Sequence, residues 1–93
     1  MAEIDVSTTE HGDEYAFQVT VRGGRTETRH SVTLKKTDYE RLAGGKASPG
    51  ALVEESFRFL LEREPKESIL RSFDLTVIGR YFPEYGRVIH DRL

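Results

Sequence analysis

The sequence predicts an α+β domain, an antiparallel β-hairpin or meander of two to three strands followed by three to four short helices. Three observations carry this. Apolar and polar residues alternate with period two from Tyr15 to Lys35. The Gly23-Gly24 pair within it and the His11-Gly12 step before it stand where reversals belong. After Thr37 the apolar spacing becomes helical, punctuated by Gly44-Gly45, Pro49, Pro65 and Pro83. The 93 residues fit a single domain, 1–93, with strands in 1–36 and helices in 37–93.

The strands come first. Tyr15, Phe17, Val19 and Val21 alternate with Ala16, Gln18, Thr20 and Arg22. Gly23-Gly24 follows, and a two-residue turn of type I′ needs the positive φ that glycine accepts. With Gly-Gly as the loop, Arg22 faces Arg25, Phe17 faces His30 and Tyr15 faces Val32, so both apolar faces coincide. A turn at His11-Gly12 sets Val6 against Phe17 and adds a third strand over Ile4–Thr8, the least apolar of the three.

The helices follow. Thr37-Asp38-Tyr39-Glu40 fits a capping box and opens a helix that Gly44-Gly45 ends. Ser48-Pro49 starts the next, with serine as N-cap and proline at the first helical position. Along it, Leu52, Val53, Phe57, Phe59, Leu60 and Leu61 spread over roughly 200° at ~100° per residue, wider than the ~100° stripe of an ordinary surface helix. Pro65 ends it and opens a helix over Lys66–Phe73. Asp74 caps a further turn, Leu75–Phe82, and Glu84–Leu93 forms a last short helix.

Composition excludes several functions. Without cysteine there is no disulfide, no thiol chemistry and no cysteine-ligated zinc. The net charge is −2 with 32% charged residues, which disfavours a basic nucleic-acid wrapper. The first fifteen residues are acidic and lack an apolar core, so no secretory signal is expected, and no apolar run approaches the ~20 residues that span a bilayer. A cytoplasmic protein that does not enter the membrane is the expectation. There is no phosphate loop, zinc-spaced histidine pair or G-x-S-x-G, so we assign no catalytic residue, metal or cofactor. His11, His30 and His90 are far apart in sequence; His30, opposite Phe17, reads as a hydrogen-bonded histidine at the core edge. Arg80-Tyr81-Phe82-Pro83-Glu84-Tyr85-Gly86-Arg87 interleaves aromatics with arginines, a pattern that stacks bases in some proteins. The negative net charge favours core or interface aromatics with solvated arginines instead.

The order of strand Arg29–Lys35, helix Thr37–Gly44 and helix Pro49–Glu64 resembles the ribbon-helix-helix class of dimeric DNA-binding repressors and antitoxins. That resemblance implies a strand paired with its twin, with Arg29, Ser31, Thr33 and Lys35 facing base edges. It also implies a phosphate at Ser48, Gly50 and Ala51. Separately, His30-x-Val32-Thr33-Leu34, Leu52-Val53-Glu54 with Phe59-Leu60-Leu61-Glu62-Arg63-Glu64-Pro65, and Phe73-Asp74-Leu75-x-Val77-Ile78-x-Arg80-Tyr81-Phe82-Pro83-Glu84-Tyr85 resemble a family of small prokaryotic proteins of unassigned function.

The first expectation is therefore a non-enzymatic interaction or regulatory module. It acts as a homodimer or on a protein partner, through Phe57, Phe59, Leu61, Tyr81 and Tyr85. Nucleic acid is the alternative partner.

Overall fold

In the computed structural model, which describes residues 2–93, the alternating segment becomes a meander of three antiparallel strands: β1 (Glu3–His11), β2 (Glu14–Gly23) and β3 (Thr26–Lys35). The third strand expected upstream is thus present, and longer than Ile4–Thr8. The faces match the expectation, but the partners shift by two residues: Phe17 faces Val32, Val19 faces His30 and Val6 faces Val19. The shift arises at the turns. Each loop is Gly plus one residue, Gly12-Asp13 and Gly24-Arg25, so Gly23 remains in the strand. Only the first loop residue takes positive φ (60° at Gly12, 63° at Gly24), which is the φ pattern of a type II′ turn and not of type I′. A slip of two preserves the faces, so Phe17, Val19, Val21, Val32 and Leu34 still share the buried side.

β3 runs into α1 (Lys36–Ala43) without a linker. The Lys36 N–H donates to the Asp13 carbonyl at 2.8 Å, so the last rung of the ladder is also the first residue of the helix. This displaces the expected cap. The N-cap is Lys35, with no side-chain bond, and Thr37 lies inside the helix. Gly44 closes it at φ 56°, in the left-handed region expected of a C-terminal glycine. Ser48 does cap α2 (Pro49–Leu61), accepting from the Ala51 N–H at 3.2 Å.

The largest departure lies after Pro65. The helix expected over Lys66–Phe73 is a single 3-10 turn, Lys66–Ser68, followed by a fourth strand, β4 (Ser72–Asp74). β4 joins β3 in parallel, giving the sheet order β1-β2-β3-β4, so the C-terminal half is not wholly helical. A parallel pair needs a long crossover, and α1 and α2 supply it. The segment is short for a free helix, and tertiary partners decide its form. Ser31 N–H donates to the Arg71 carbonyl at 2.7 Å, the His30 ring bonds the Leu70 carbonyl at 2.7 Å, and Phe73 stacks near Phe57 at 6.0 Å. Asp74 then caps a 3-10 turn, Leu75–Val77, through the Thr76 N–H. That turn continues as α3 (Ile78–Tyr81), and α4 (Tyr85–Arg92) ends the chain.

α2 is the middle layer. Leu52, Val53, Ser56, Phe57, Phe59 and Leu60 are all buried, an arc of about 160° at ~100° per residue. The sheet takes one side: Phe57 packs edge-on against His30 at 5.3 Å. α4 and the residue after α3 take the other: Phe59 meets Tyr85 at 5.3 Å and Phe82 at 5.8 Å. The wide apolar arc is therefore covered within the chain. Arg63 closes the end of α2, with its guanidinium 3.6 Å above the Phe59 ring and a bond to the Phe59 carbonyl. Arg92 of α4 pairs with Glu62 at 2.6 Å, and this bond holds the Glu62 carboxylate below its ordinary range.

Two outcomes are expected. Phe59→Ala should lower unfolding free energy by about 3–5 kcal/mol in a urea titration, with no change in mass in solution, since the ring lies in the protomer core. A change in mass at full stability would contradict that placement. Glu62→Gln should lower Tm at pH 7. A carboxylate whose folded pKa is depressed stabilises above its unfolded value and loses this as pH falls through the folded value. The Tm gap should therefore close as pH falls below the ordinary carboxylate range, and a gap constant with pH would exclude the Glu62–Arg92 pair as its source.

Candidate interaction groove

Where the sheet ends at β4, the helical layer does not fully close over it. The result is an apolar groove of about 390 Å³. The end of α2 contributes Leu60, the bend after it Glu64, and the chain before β4 Ser68, Ile69 and Leu70. Phe73 comes from β4, and Val77, Ile78, Tyr81 and Phe82 from the last turns before Pro83. Leu60, Ile69 and Ile78 are buried and form the floor. Leu70 and Tyr81 stand at the rim with 49% and 69% of their surface exposed, the two large hydrophobic residues most open to solvent among the described residues. Glu64 is the only charged residue in the wall.

The rim is held by a buried histidine. His30 is 2% exposed, and both ring nitrogens have partners. The Leu70 carbonyl can only accept, so Nδ1 donates to it at 2.7 Å, and in the neutral ring Nε2 accepts from the Thr28 hydroxyl at 2.8 Å. His30 thus sits at the core edge, as its strand position suggested, although its cross-strand partner is Val19. It ties the groove's outer segment to β3. A second polar relay lies under α4. Ser56 donates to the Leu52 carbonyl and accepts from the Tyr85 hydroxyl, both at 2.7 Å. Burial raises the Tyr85 hydroxyl's pKa above its ordinary value.

The residues expected at an interface divide. Phe57, Phe59 and Tyr85 are buried in the protomer and cannot meet a partner. Their helical spacing showed apolar character but not that the chain itself supplies both covers. Tyr81 remains at the surface, in the groove rim, and Leu61 is half-buried on the flank of α2 beside β1.

The row Arg29, Ser31, Thr33 and Lys35 does lie on the open face of the sheet, but three of the four have partners there. Arg29 pairs with Glu27 at 3.1 Å, Ser31 lies beside Gln18 at 3.3 Å, and Thr33 donates to Asp74 at 3.0 Å. A ribbon-helix-helix dimer pairs this strand with its twin, and here β4 occupies that edge from Ser31 to Thr33. At the Ser48–Ala51 end of α2 the Ser48 side chain accepts from the Ala51 N–H.

The histidines stay apart in role. His30 is internal, and His90 bonds the Leu42 carbonyl at 3.3 Å. Among the described residues no group of three or more His, Asp and Glu is placed to hold a metal ion, and no helix is long and apolar enough to cross a membrane. Sequence reasoning missed Leu70 and Glu64. The adjacent Ile69-Leu70 pair was the available signal, because on a short segment one of two neighbouring apolar side chains is left facing out.

No family model matches the chain, and neither a curated protein nor a solved structure matches it.

His30→Leu keeps the bulk and removes both ring bonds. It should cost about 1–3 kcal/mol by denaturant titration, since the Leu70 carbonyl loses a buried partner. Amide exchange at Ser31 should accelerate with it. Unchanged stability would show that the Leu70 segment is not held by the ring.

Proposed function

We propose that the chain is a non-enzymatic protein-interaction module whose groove between α2, β4 and α3 receives an apolar side chain of a protein partner. The observation that carries this is the pairing of a buried apolar floor with two exposed apolar rim residues, Leu70 and Tyr81. Large exposed side chains around an apolar hollow mark binding surfaces more often than isolated exposed leucines do. Glu64 supplies selectivity. A lone carboxylate in an apolar wall favours a partner whose anchor is flanked by lysine or arginine. The segments that resemble small prokaryotic proteins of unassigned function, Phe59–Pro65 and Phe73–Tyr85, supply most of the groove wall, and we read the groove as what those segments build. The DNA-binding alternative has weaker support, because three of its four candidate readers, Arg29, Ser31 and Thr33, are engaged with neighbours and its dimer edge is occupied.

The test is selection from a phage-displayed library of random eight-residue peptides. Recovered peptides should share a large apolar residue next to Lys or Arg. The tightest of them, synthesised, should lose at least about tenfold in affinity, or ~1.4 kcal/mol, to Tyr81→Glu, which alters only an exposed position. Glu64→Gln should weaken the basic peptides selectively. A selection without such a consensus, or binding unaffected by Tyr81→Glu, would reject the groove as the site.

A further inference from the structure

The opposite edge of the sheet carries a second surface, independent of the groove. β1 is the terminal strand, with nine residues in unbroken register from Glu3↔Arg22 to His11↔Glu14. Sheet edges are commonly protected by proline, a bulge, brevity or unpaired charge, because an exposed ladder recruits another strand. β1 has no proline, its register shows no bulge, and it is three times the length of β4. Two of its three carboxylates are neutralised inside the chain, Asp5 by Arg22 and Glu10 by Lys36. Among the described residues, Glu3 has no ion pair.

The direction of the free backbone groups follows from the turn. A two-residue loop makes its flanking pair, His11 and Glu14, a hydrogen-bonded one. In an antiparallel ladder such pairs alternate, so Asp5, Ser7, Thr9 and His11 bond to β2, and the N–H and C=O groups of Ile4, Val6, Thr8 and Glu10 face away from the sheet. The same alternation holds across β2 and β3, where Lys36 N–H bonds the Asp13 carbonyl, and at β3, where Ser31 N–H turns to β4.

We infer that β1 pairs antiparallel with β1 of a second copy of this chain, about a two-fold axis through Ser7. This is the only register in which all four outward residues pair among themselves, Ile4 with Glu10 and Val6 with Thr8 across the axis. It places Ser7 opposite Ser7, Asp5 opposite Thr9, and Glu3 opposite His11, so no two acidic residues face each other and the carboxylate without an ion pair meets an imidazole. Residues of equal parity meet, so Ile4 and Val6 continue one apolar face across the junction. That face has an unfinished margin. Val6 and Leu61 are half-buried, and a hollow of about 200 Å³ lies between Ala2 and Ile4 on β1's side and Arg58 and Leu61 of α2 with Glu62 just after it. The dimer has an eight-stranded sheet with a β4 at each end, and the two peptide grooves lie far apart on it.

The absence of cysteine makes the register directly measurable. Facing residues that do not hydrogen-bond across an antiparallel pair lie ~4.5 Å apart at Cα, within disulfide reach. Ser7→Cys should cross-link to a covalent dimer under mild oxidant. Asp5→Cys and Thr9→Cys should each stay monomeric on denaturing gels, and their mixture should cross-link. Light scattering should give twice the chain mass for the wild type. Thr8→Pro removes an outward N–H without touching the β2 ladder and should give single-chain mass with the native circular dichroism spectrum. Val6→Lys should do the same by placing charge at the junction. A wild type of single-chain mass up to 100 µM overturns the inference, and so does a Ser7→Cys protein that fails to cross-link. A dimer that survives Val6→Lys but dissociates in Tyr81→Glu would assign self-association to the groove instead.

Discussion

The two-sided burial of α2 is the constraint on which the rest depends. A helix with one apolar stripe is satisfied by one neighbour. α2 presents a wider arc, and a chain of 93 residues has to find two covers for it. The sheet is one and α4 the other. The relay from the Tyr85 hydroxyl through Ser56 to the Leu52 carbonyl fixes how α4 lies, because a buried hydroxyl without a partner would be costly. Arg63 and Arg92 then seal the far end, placing guanidinium groups over the Phe59 ring while their charges meet Glu84 and Glu62 at the surface.

The groove follows from the same constraint. α4 and the turns before it are drawn toward Phe59, and the segment before β4 is drawn toward His30. Between these two attachments, the floor residues are buried and the rim residues are left without a cover. The groove's chemistry is an apolar surface bordered by one carboxylate, which suits recognition.

Much of the architecture was legible in the sequence because it rests on local signals. Period-two alternation gave the meander and its faces, and Ser48-Pro49, Gly44 and Asp74 marked helix ends by the bonds they make or the φ they accept. What was not legible rests on distant partners. β4 is three residues long and exists because β3 and the His30 ring receive it. Phe57, Phe59 and Tyr85 looked available for a partner because periodicity reports that a side is apolar, not what covers it. The groove was foreshadowed only by Tyr81. Its other rim residue, Leu70, gains its position from a hydrogen bond forty residues away in the chain. Which turn residue takes positive φ was also hidden, and it moved both registers by two.

The parallel junction of β3 with β4 has a kinetic consequence. The meander closes through loops of two residues, whereas Ser31 reaches Ser72 only after the whole helical crossover has been arranged. Contacts of such sequence separation form slowly, because the entropy of closing the intervening chain is lost before the contact contributes. A strand of three residues also returns little stabilisation of its own. The β4 margin is therefore where the native state opens first and closes last. A partner bound in the proposed groove would be coupled to that local equilibrium, because it would hold shut the part of the molecule that the chain alone holds least firmly.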